Sequence, residues 1–166
     1  MHIRKARVED ATALVEAEKE IAKTPGRLVS RPEELQLASF QDKIRSLNAN
    51  DCALYVVLEE NGELVGHALL DQYKLIALAH VVTLTLAIHE GHQGKGHGRL
   101  LMEHLIAWAK AQPTIEKIEL QVRSRNTRAV KLYESLGFQE EGRKLKRLKY
   151  GPNDYQDDIY MGLWVG

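Results

Sequence analysis

The sequence predicts an α/β fold, and three observations carry that expectation. Val81 to Ile88 is an apolar run with Val82, Leu84, Leu86 and Ile88 at period two, and it passes through a glycine-rich turn straight into a helical stripe. Ile115 to Val122 and then Asn126 to Gly137 repeat that strand-then-helix pattern. Asn61-Gly62, between two apolar stretches, signals a tight antiparallel hairpin. The order is β-α-α-β-β-β-α-β-α-β-β, about seven strands and four helices, read as one domain over residues 1–166.

His2 to Arg7 reads as a short first strand around Ile3. From Asp10 to Lys23, Leu14, Ala17 and Ile21 make an amphipathic helix that Pro25-Gly26 stops. Ser30-Arg31-Pro32-Glu33 has the form of a capping box, opening a helix with Leu37, Phe40, Ile44 and Leu47 on one stripe. Asn48-Ala49-Asn50 ends it.

Cys52 to Leu58 is apolar throughout, as in a strand covered on both faces, and pairs through Asn61-Gly62 with Leu64 to Leu70. An irregular link around Lys74 to Ala79 leads into Val81 to Ile88. The next helix shows Leu100, Leu101, His104, Leu105 and Trp108 at helical spacing and runs to about Ala111, closed by Gln112-Pro113. In Ile115 to Val122, Ile118, Leu120 and Val122 point inward and Glu119, Gln121 and Arg123 outward. Asn126 is an N-cap for a helix whose Ala129, Leu132, Tyr133 and Leu136 share a face, with Gly137 just past its end. Gly142 to Tyr150 and Tyr155 to Val165 close the chain as strands around Gly151-Pro152-Asn153-Asp154. Cross-strand ion pairs account for the basic residues of the former and Asp157-Asp158 of the latter.

Lys+Arg and Asp+Glu both number 23, so no overall charge points to nucleic acid or a membrane surface. The one cysteine, Cys52, has no intrachain partner and opens an apolar strand, which fits core packing in a reducing, cytoplasmic setting. No segment has the length and apolarity of a membrane span or a signal core.

The turn after Ile88 carries Gly91, Gly94, Gly96 and Gly98. Glycines there let backbone N–H groups converge, and the helix N-terminus adds unpaired donors and positive potential, a cradle for phosphate. The spacing fails the P-loop, because Gly96 is followed by His97 rather than Lys-Ser/Thr. It also fails the dinucleotide fingerprint, whose third glycine would fall on Arg99. Gln93-Gly94-Lys95-Gly96-His97-Gly98 instead resembles the coenzyme A pyrophosphate loop of the GNAT superfamily of N-acetyltransferases. A second motif agrees: Asn126-x-x-Ala129-x-x-Leu132-Tyr133-Glu134-x-Leu136-Gly137-Phe138 is similar to that family's Asn-x-x-Ala-x-x-Leu-Tyr-x-x-x-Gly-Phe signature. The element order is also the family's. Asp157-Asp158-Ile159-Tyr160-Met161 resembles, more loosely, the bacterial branch acting on small amines and protein N-termini.

The resemblance implies a single mixed, twisted sheet flanked by helices, with acetyl-CoA as co-substrate and a primary amine, small molecule or peptide, as acceptor. It places the pantetheine arm and acetyl carbonyl on the backbone of Leu86, Ala87 and Ile88. The pyrophosphate falls on the N–H groups of Gln93, Gly94, Lys95, Gly96, His97 and Gly98, and Asn126 reaches the arm from the other side. Tyr133 is implied as the acid that protonates the departing thiolate. On the residues alone Tyr133 is a core tyrosine on an apolar stripe.

Relatives often carry a glutamate base where Thr83 stands, Glu90 occupies a place where proline is common, and Gln93 replaces arginine. His80 is a candidate base because histidine titrates near neutrality, a strand histidine satisfied by its neighbours being the equal alternative. His89-Glu90 begins like a zinc-protease motif, but Gln93 stands where the second histidine belongs, so no metal is expected. His92 and His97 read as facing solvent or phosphate. The acceptor side, with Glu16, Glu20, Arg27, Arg31 and Asp157, points to no single ligand, and the final strands are a candidate homodimer surface. The alternatives to an acetyltransferase are a catalytically degenerate acyl-CoA sensor, motivated by Thr83, and a nucleotide-binding regulator.

Overall fold

The hydrophobic pattern resolves into one mixed sheet in the computed structural model, which describes residues 1–166. In chain order the elements are β1 (His2–Lys5), α1 (Ala11–Ala22), α2 (Leu37–Asn48), β2 (Leu54–Glu60), β3 (Glu63–Gln72) and β4 (Val81–Ile88). They continue with α3 (His97–Ala111), β5 (Lys117–Arg123), α4 (Thr127–Ser135), β6 (Gln139–Gly151) and β7 (Asp154–Trp164). The strands lie in the order β1-β2-β3-β4-β5-β7-β6. Only β4 and β5 are parallel, and they pair over just three residues, Val81–Thr83 against Lys117–Glu119. The expected element order, strand count and helix count are all present.

Helices cover both faces, which explains why Leu54 to Leu58 of β2 is apolar at every position. Tyr55 and Val57 pack with Leu14 of α1 and with Ile44 and Leu47 of α2. Leu54, Val56 and Leu58 point the other way, into the core built with Leu101, Met102 and Leu105 of α3. Asn61 and Gly62 both have positive φ, 52° and 83°, the geometry of a two-residue hairpin turn that matches strand twist.

Several expectations need correction. The first strand stops at Lys5, because the Arg7 N–H turns to the Asp10 carboxylate at 2.7 Å and starts a short 3-10 turn. The proposed box at Ser30 to Glu33 opens no α-helix. Glu34 caps the Arg31 N–H at 2.7 Å, a 3-10 turn spans Pro32–Glu34, and α2 begins only at Leu37 after an extended Leu35. β6 starts at Gln139 rather than Gly142, since β7 is long enough to pair Gln139 with Gly162 and Glu140 with Met161. Asp157 meets the basic strand as expected, pairing with Arg143 at 3.8 Å and also accepting from the Lys146 backbone N–H at 2.8 Å, but Asp158 is buried and turns to Arg123 on β5 at 3.6 Å.

Where β4 ends, a buried polar chain ties three elements together. His89 Nδ1 donates to the Leu64 carbonyl at 2.7 Å, and its Nε2 lies 3.0 Å from Nδ1 of His67, which is wholly buried. His67 Nε2 in turn meets Glu18 of α1 at 2.8 Å. Burial, then the neighbouring His67, pushes His89 down from 6.5 to about 4. Because the folded protein holds His89 neutral, this contribution is complete above pH 6.5 and is lost as pH falls from there through about 4. It amounts to at most about 3 kcal/mol. Thermal melts should therefore show stability dropping across that window, and His89→Asn, which keeps a donor for Leu64 but does not titrate, should flatten the slope. An equally steep slope in the variant would place the acid sensitivity elsewhere.

Candidate active site

Past Thr83 and Glu119, β4 and β5 separate. β5 stays paired with β7 along Lys117–Arg123, while β4 stays paired with β3 as far as Ile88. The edge of Leu84–Ile88 that faces β5 thus has backbone groups with no strand to pair with, and α4 and the turn after β4 close around the gap. Two cavities fill it. One, of about 540 Å³, runs along Leu86, Ala87 and Ile88, the glycine loop and the start of α3. The other, of about 430 Å³, lies between β4 and β5 with Thr83, Leu84, Glu119 and Gln121 in its walls. Arg27, Leu28, Leu86, Asn126 and Tyr133 line both, so the two meet there.

The loop has the geometry of an anion cradle. Gly96 caps α3 with φ 86°, and the first intrahelical bond runs from the Leu100 N–H to the Gly96 carbonyl at 3.1 Å. The N–H groups of His97, Gly98 and Arg99 are therefore without helical partners. Gly94 is also left-handed, at φ 78°, and open space surrounds the place a side chain would take at Gly96. A pyrophosphate can approach this backbone closely, so the residues present fit coenzyme A. The Gln93 side chain braces the loop by donating to the Ile88 carbonyl at 3.2 Å, and Glu90 pairs with Arg27, fastening the loop to the segment after α1. The departures from the family pattern at Glu90 and Gln93 thus serve the loop's own structure.

Of the residues singled out from sequence, Leu86, Ala87, Ile88, Gln93, Gly94, Gly96, His97, Gly98, Asn126 and Tyr133 all line the larger cavity. Lys95 is exposed and lies outside that lining. Asn126 caps α4, accepting from the Ala129 N–H at 3.3 Å. His97 does not face solvent. It is 4 % exposed, and its Nδ1 donates to the His92 carbonyl at 3.1 Å. Gly98 lacks a positive φ, and its role is close packing: a Cβ there would lie 3.2 Å from Leu132 of α4.

Tyr133 is 7 % exposed and sits where the cavities join. Burial pushes its phenol up to about 12, only partly opposed by the charge of Arg123, so it keeps its proton throughout the neutral range. His80, by contrast, is not brought here. It precedes β4, with its ring 6.4 Å from that of Trp164, and lines neither cavity. Six residues of strand separate it from Leu86, roughly 20 Å.

Sequence reading missed three groups. Arg128 lines the larger cavity with its guanidinium against Gly94, a basic residue in the first turn of α4 that the motif left unspecified. Glu119 and Glu141 line the smaller cavity. The alternation of β5 placed Glu119 outward, and outward here is toward the gap; nothing in the sequence marks Glu141.

Comparison with known proteins agrees with this architecture. The model of the acetyltransferase (GNAT) family matches residues 12–138. The chain is similar to the ribosomal protein bS18-alanine N-acetyltransferase of Escherichia coli K12, 30% identical over 125 residues, 75% of this chain and 80% of that protein. It is 28% identical over 101 residues to the L-amino acid N-acetyltransferase AaaT of the same organism, 61% of this chain and 62% of that one. Among solved structures, the yncA protein of Salmonella typhimurium, determined with its cofactor acetyl-CoA, superimposes with a TM-score of 0.88 at 24% identity, covering 100% of this chain and 94% of that one. At that identity the likeness speaks for the fold.

Both loop glycines should resist substitution, for different reasons. Gly96→Val strains a left-handed cap and fills the cradle, and should weaken acetyl-CoA by at least ~1–2 kcal/mol in calorimetry and lower the melting temperature by several degrees. Gly98→Val should lower the melting temperature through packing instead, because its side chain meets Leu132 and drives α3 and α4 apart. A folded Gly96→Val protein that binds acetyl-CoA normally would remove the loop from the coenzyme site.

Proposed function

The chain belongs to the GNAT acetyltransferase family, and we propose that it transfers acetyl from acetyl-CoA to a primary amine by direct attack, the two cavities holding the two substrates. The observation that supports this reading most is the meeting of the cavities at Tyr133, beside the unpaired edge of β4. The relatives named for ribosomal-protein alanine and for amino acids are in keeping with an amino nitrogen as acceptor.

In this reading the N–H groups of Gly94 to Gly98 and the Arg128 guanidinium bind the pyrophosphate, and the edge of Leu86 to Ile88 aligns the arm. The bound coenzyme supplies an activated acetyl thioester. The amine enters through the smaller cavity. An alkylamine has a pKa near ~10.4, so fewer than about one in a thousand molecules are neutral at pH 7, and a proton must leave before attack. With His80 roughly 20 Å away along the strand, that proton goes to water in the smaller cavity. Tyr133 then donates its phenolic proton to the sulfur as the thiol departs, and the proton that the attacking nitrogen sheds as the amide forms returns through water to the phenolate. A thiol pKa near ~8.5 makes the leaving group fair even without help, so the tyrosine assists and is not indispensable.

Tyr133→Phe keeps the ring against Phe138, 5.9 Å away centroid to centroid, and removes only the hydroxyl. It should lower kcat by on the order of 10- to 1000-fold, with acetyl-CoA affinity and melting temperature little changed. In the native enzyme log kcat/KM should climb with pH toward the pKa of the amine, without a break near 6.5, because no histidine titrates in the route. A Tyr133→Phe protein with native kcat, when chemistry limits turnover, would reduce Tyr133 to packing. A break near 6.5 would restore a histidine base.

A further inference from the structure

The smaller cavity is long and its charge is uneven. Its inner end lies at Leu86 and Tyr133, and its outer end at Thr83, Glu119 and Glu141. Thr83 and Leu86 are three residues apart on one strand, about 10 Å. Glu119 is level with Thr83 across the strand pair.

Each cation at the inner end already has a carboxylate of its own: Arg27 has Glu90, and Arg123 has Asp158 at 3.6 Å. The outer end has the opposite balance. Lys117 donates to Glu119 at 3.0 Å and to Glu141 at 2.9 Å, so two carboxylates share one ammonium. Lys117 does this from outside the cavity, leaving both carboxylates in its wall.

Bringing Glu141 here takes two features of backbone. The register between β6 and β7 shifts between Glu140 and Gly142, so the residue in between is set off from the ladder. On β7, Gly162 pairs with Gln139 on one side and Glu119 on the other; a Cβ there would stand 2.5 Å from Glu141 Oε1, and the bare glycine lets Glu141 lie across β7 toward β5. Tyr73 and Tyr160 complete the outer end. The Tyr160 ring carries the Lys144 ammonium 4.8 Å from its centre.

We infer that the acceptor is a primary amine carrying a second cationic group roughly 10 Å away or less, and that Glu119 and Glu141 bind this group while the other nitrogen reaches Leu86 and Tyr133. An amine whose second group is a carboxylate is disfavoured, because the two cations that line the cavity, Arg27 and Arg123, already have carboxylates of their own. This rests on the reading of the smaller cavity as the acceptor side. A small diamine and a basic peptide present the same chemistry.

The test is a comparison of kcat/KM among amines of one length. Hexamethylenediamine spans about 9 Å between nitrogens when extended. It should exceed hexylamine by about 10-fold or more, per reactive amine, and aminocaproic acid should fall below hexylamine. The ratio of diamine to monoamine should drop toward one in Glu119→Gln/Glu141→Gln. Gly162→Ala, which displaces only the flexible end of Glu141, should lower it part of the way. A preference for the dipeptide amide Ala-Lys over Ala-norleucine larger than the preference among the small amines would make a peptide the source, and the reverse a free diamine. Turnover of hexylamine with no preference for the diamine, or a preference that survives the double substitution, would overturn the inference and leave the proposed reaction standing. Turnover of none of these amines would overturn both.

Discussion

Hydrogen bonding between β4 and β5 stops after three residue pairs, and the candidate site depends on that interruption. A strand in mid-sheet ordinarily has both edges satisfied. Here β3 satisfies one edge of β4 as far as Ile88, while the other is left open from Leu84 onward. Backbone N–H and C=O groups left unpaired away from water cost about 1–3 kcal/mol each, so such an edge persists in a folded protein only where solvent or a ligand can reach it. The cavities run along it, and β5 cannot swing back to close it because β7 holds β5 over its whole length.

The other parts of the site follow from where this edge ends. β4 delivers the chain directly into the loop, so the cradle and the N-terminus of α3 lie in line with the open edge. The Asn126 cap starts α4 on the far side of the gap and sets the position of Tyr133 in its second turn. The His67–His89 chain fixes the end of β4 to α1 through Glu18, and the Arg27–Glu90 pair fixes the loop to the segment after α1. The candidate site is thus assembled from rigid elements, with most of its lining contributed by strand ends and helix starts.

Much of this was legible in the sequence because local rules and tertiary outcome agree. Asn61-Gly62 forms the turn its φ preferences require, the period of two in β4 and β5 gives their buried faces, and the loop glycines with Asn126 and Tyr133 come together as two motifs joined by one strand-helix unit. Other features depend on geometry that spacing does not encode. Gly96 and Gly98 look alike in sequence, yet one is a left-handed cap and the other a contact point for Leu132. His80 looked close to Leu86 to Ile88 in number but precedes the far end of β4. Glu141 reaches the cavity only through a register shift in β6 and a glycine on β7, two facts from separate strands. His97 lies at a helix start where an exposed side chain is expected, but the fold turns it inward to the His92 carbonyl.

Amide hydrogen exchange of the native chain with and without acetyl-CoA tests the open edge most directly. If the edge and cradle hold the coenzyme, saturating acetyl-CoA should slow exchange in two places, the β4 segment at Leu86 to Ile88 and the loop from Gly94 to Arg99. The first three strands should be left nearly unchanged. Tight binding that leaves both segments exchanging as before, with protection elsewhere in the molecule, would contradict the assignment of the gap between β4 and β5 as the coenzyme site.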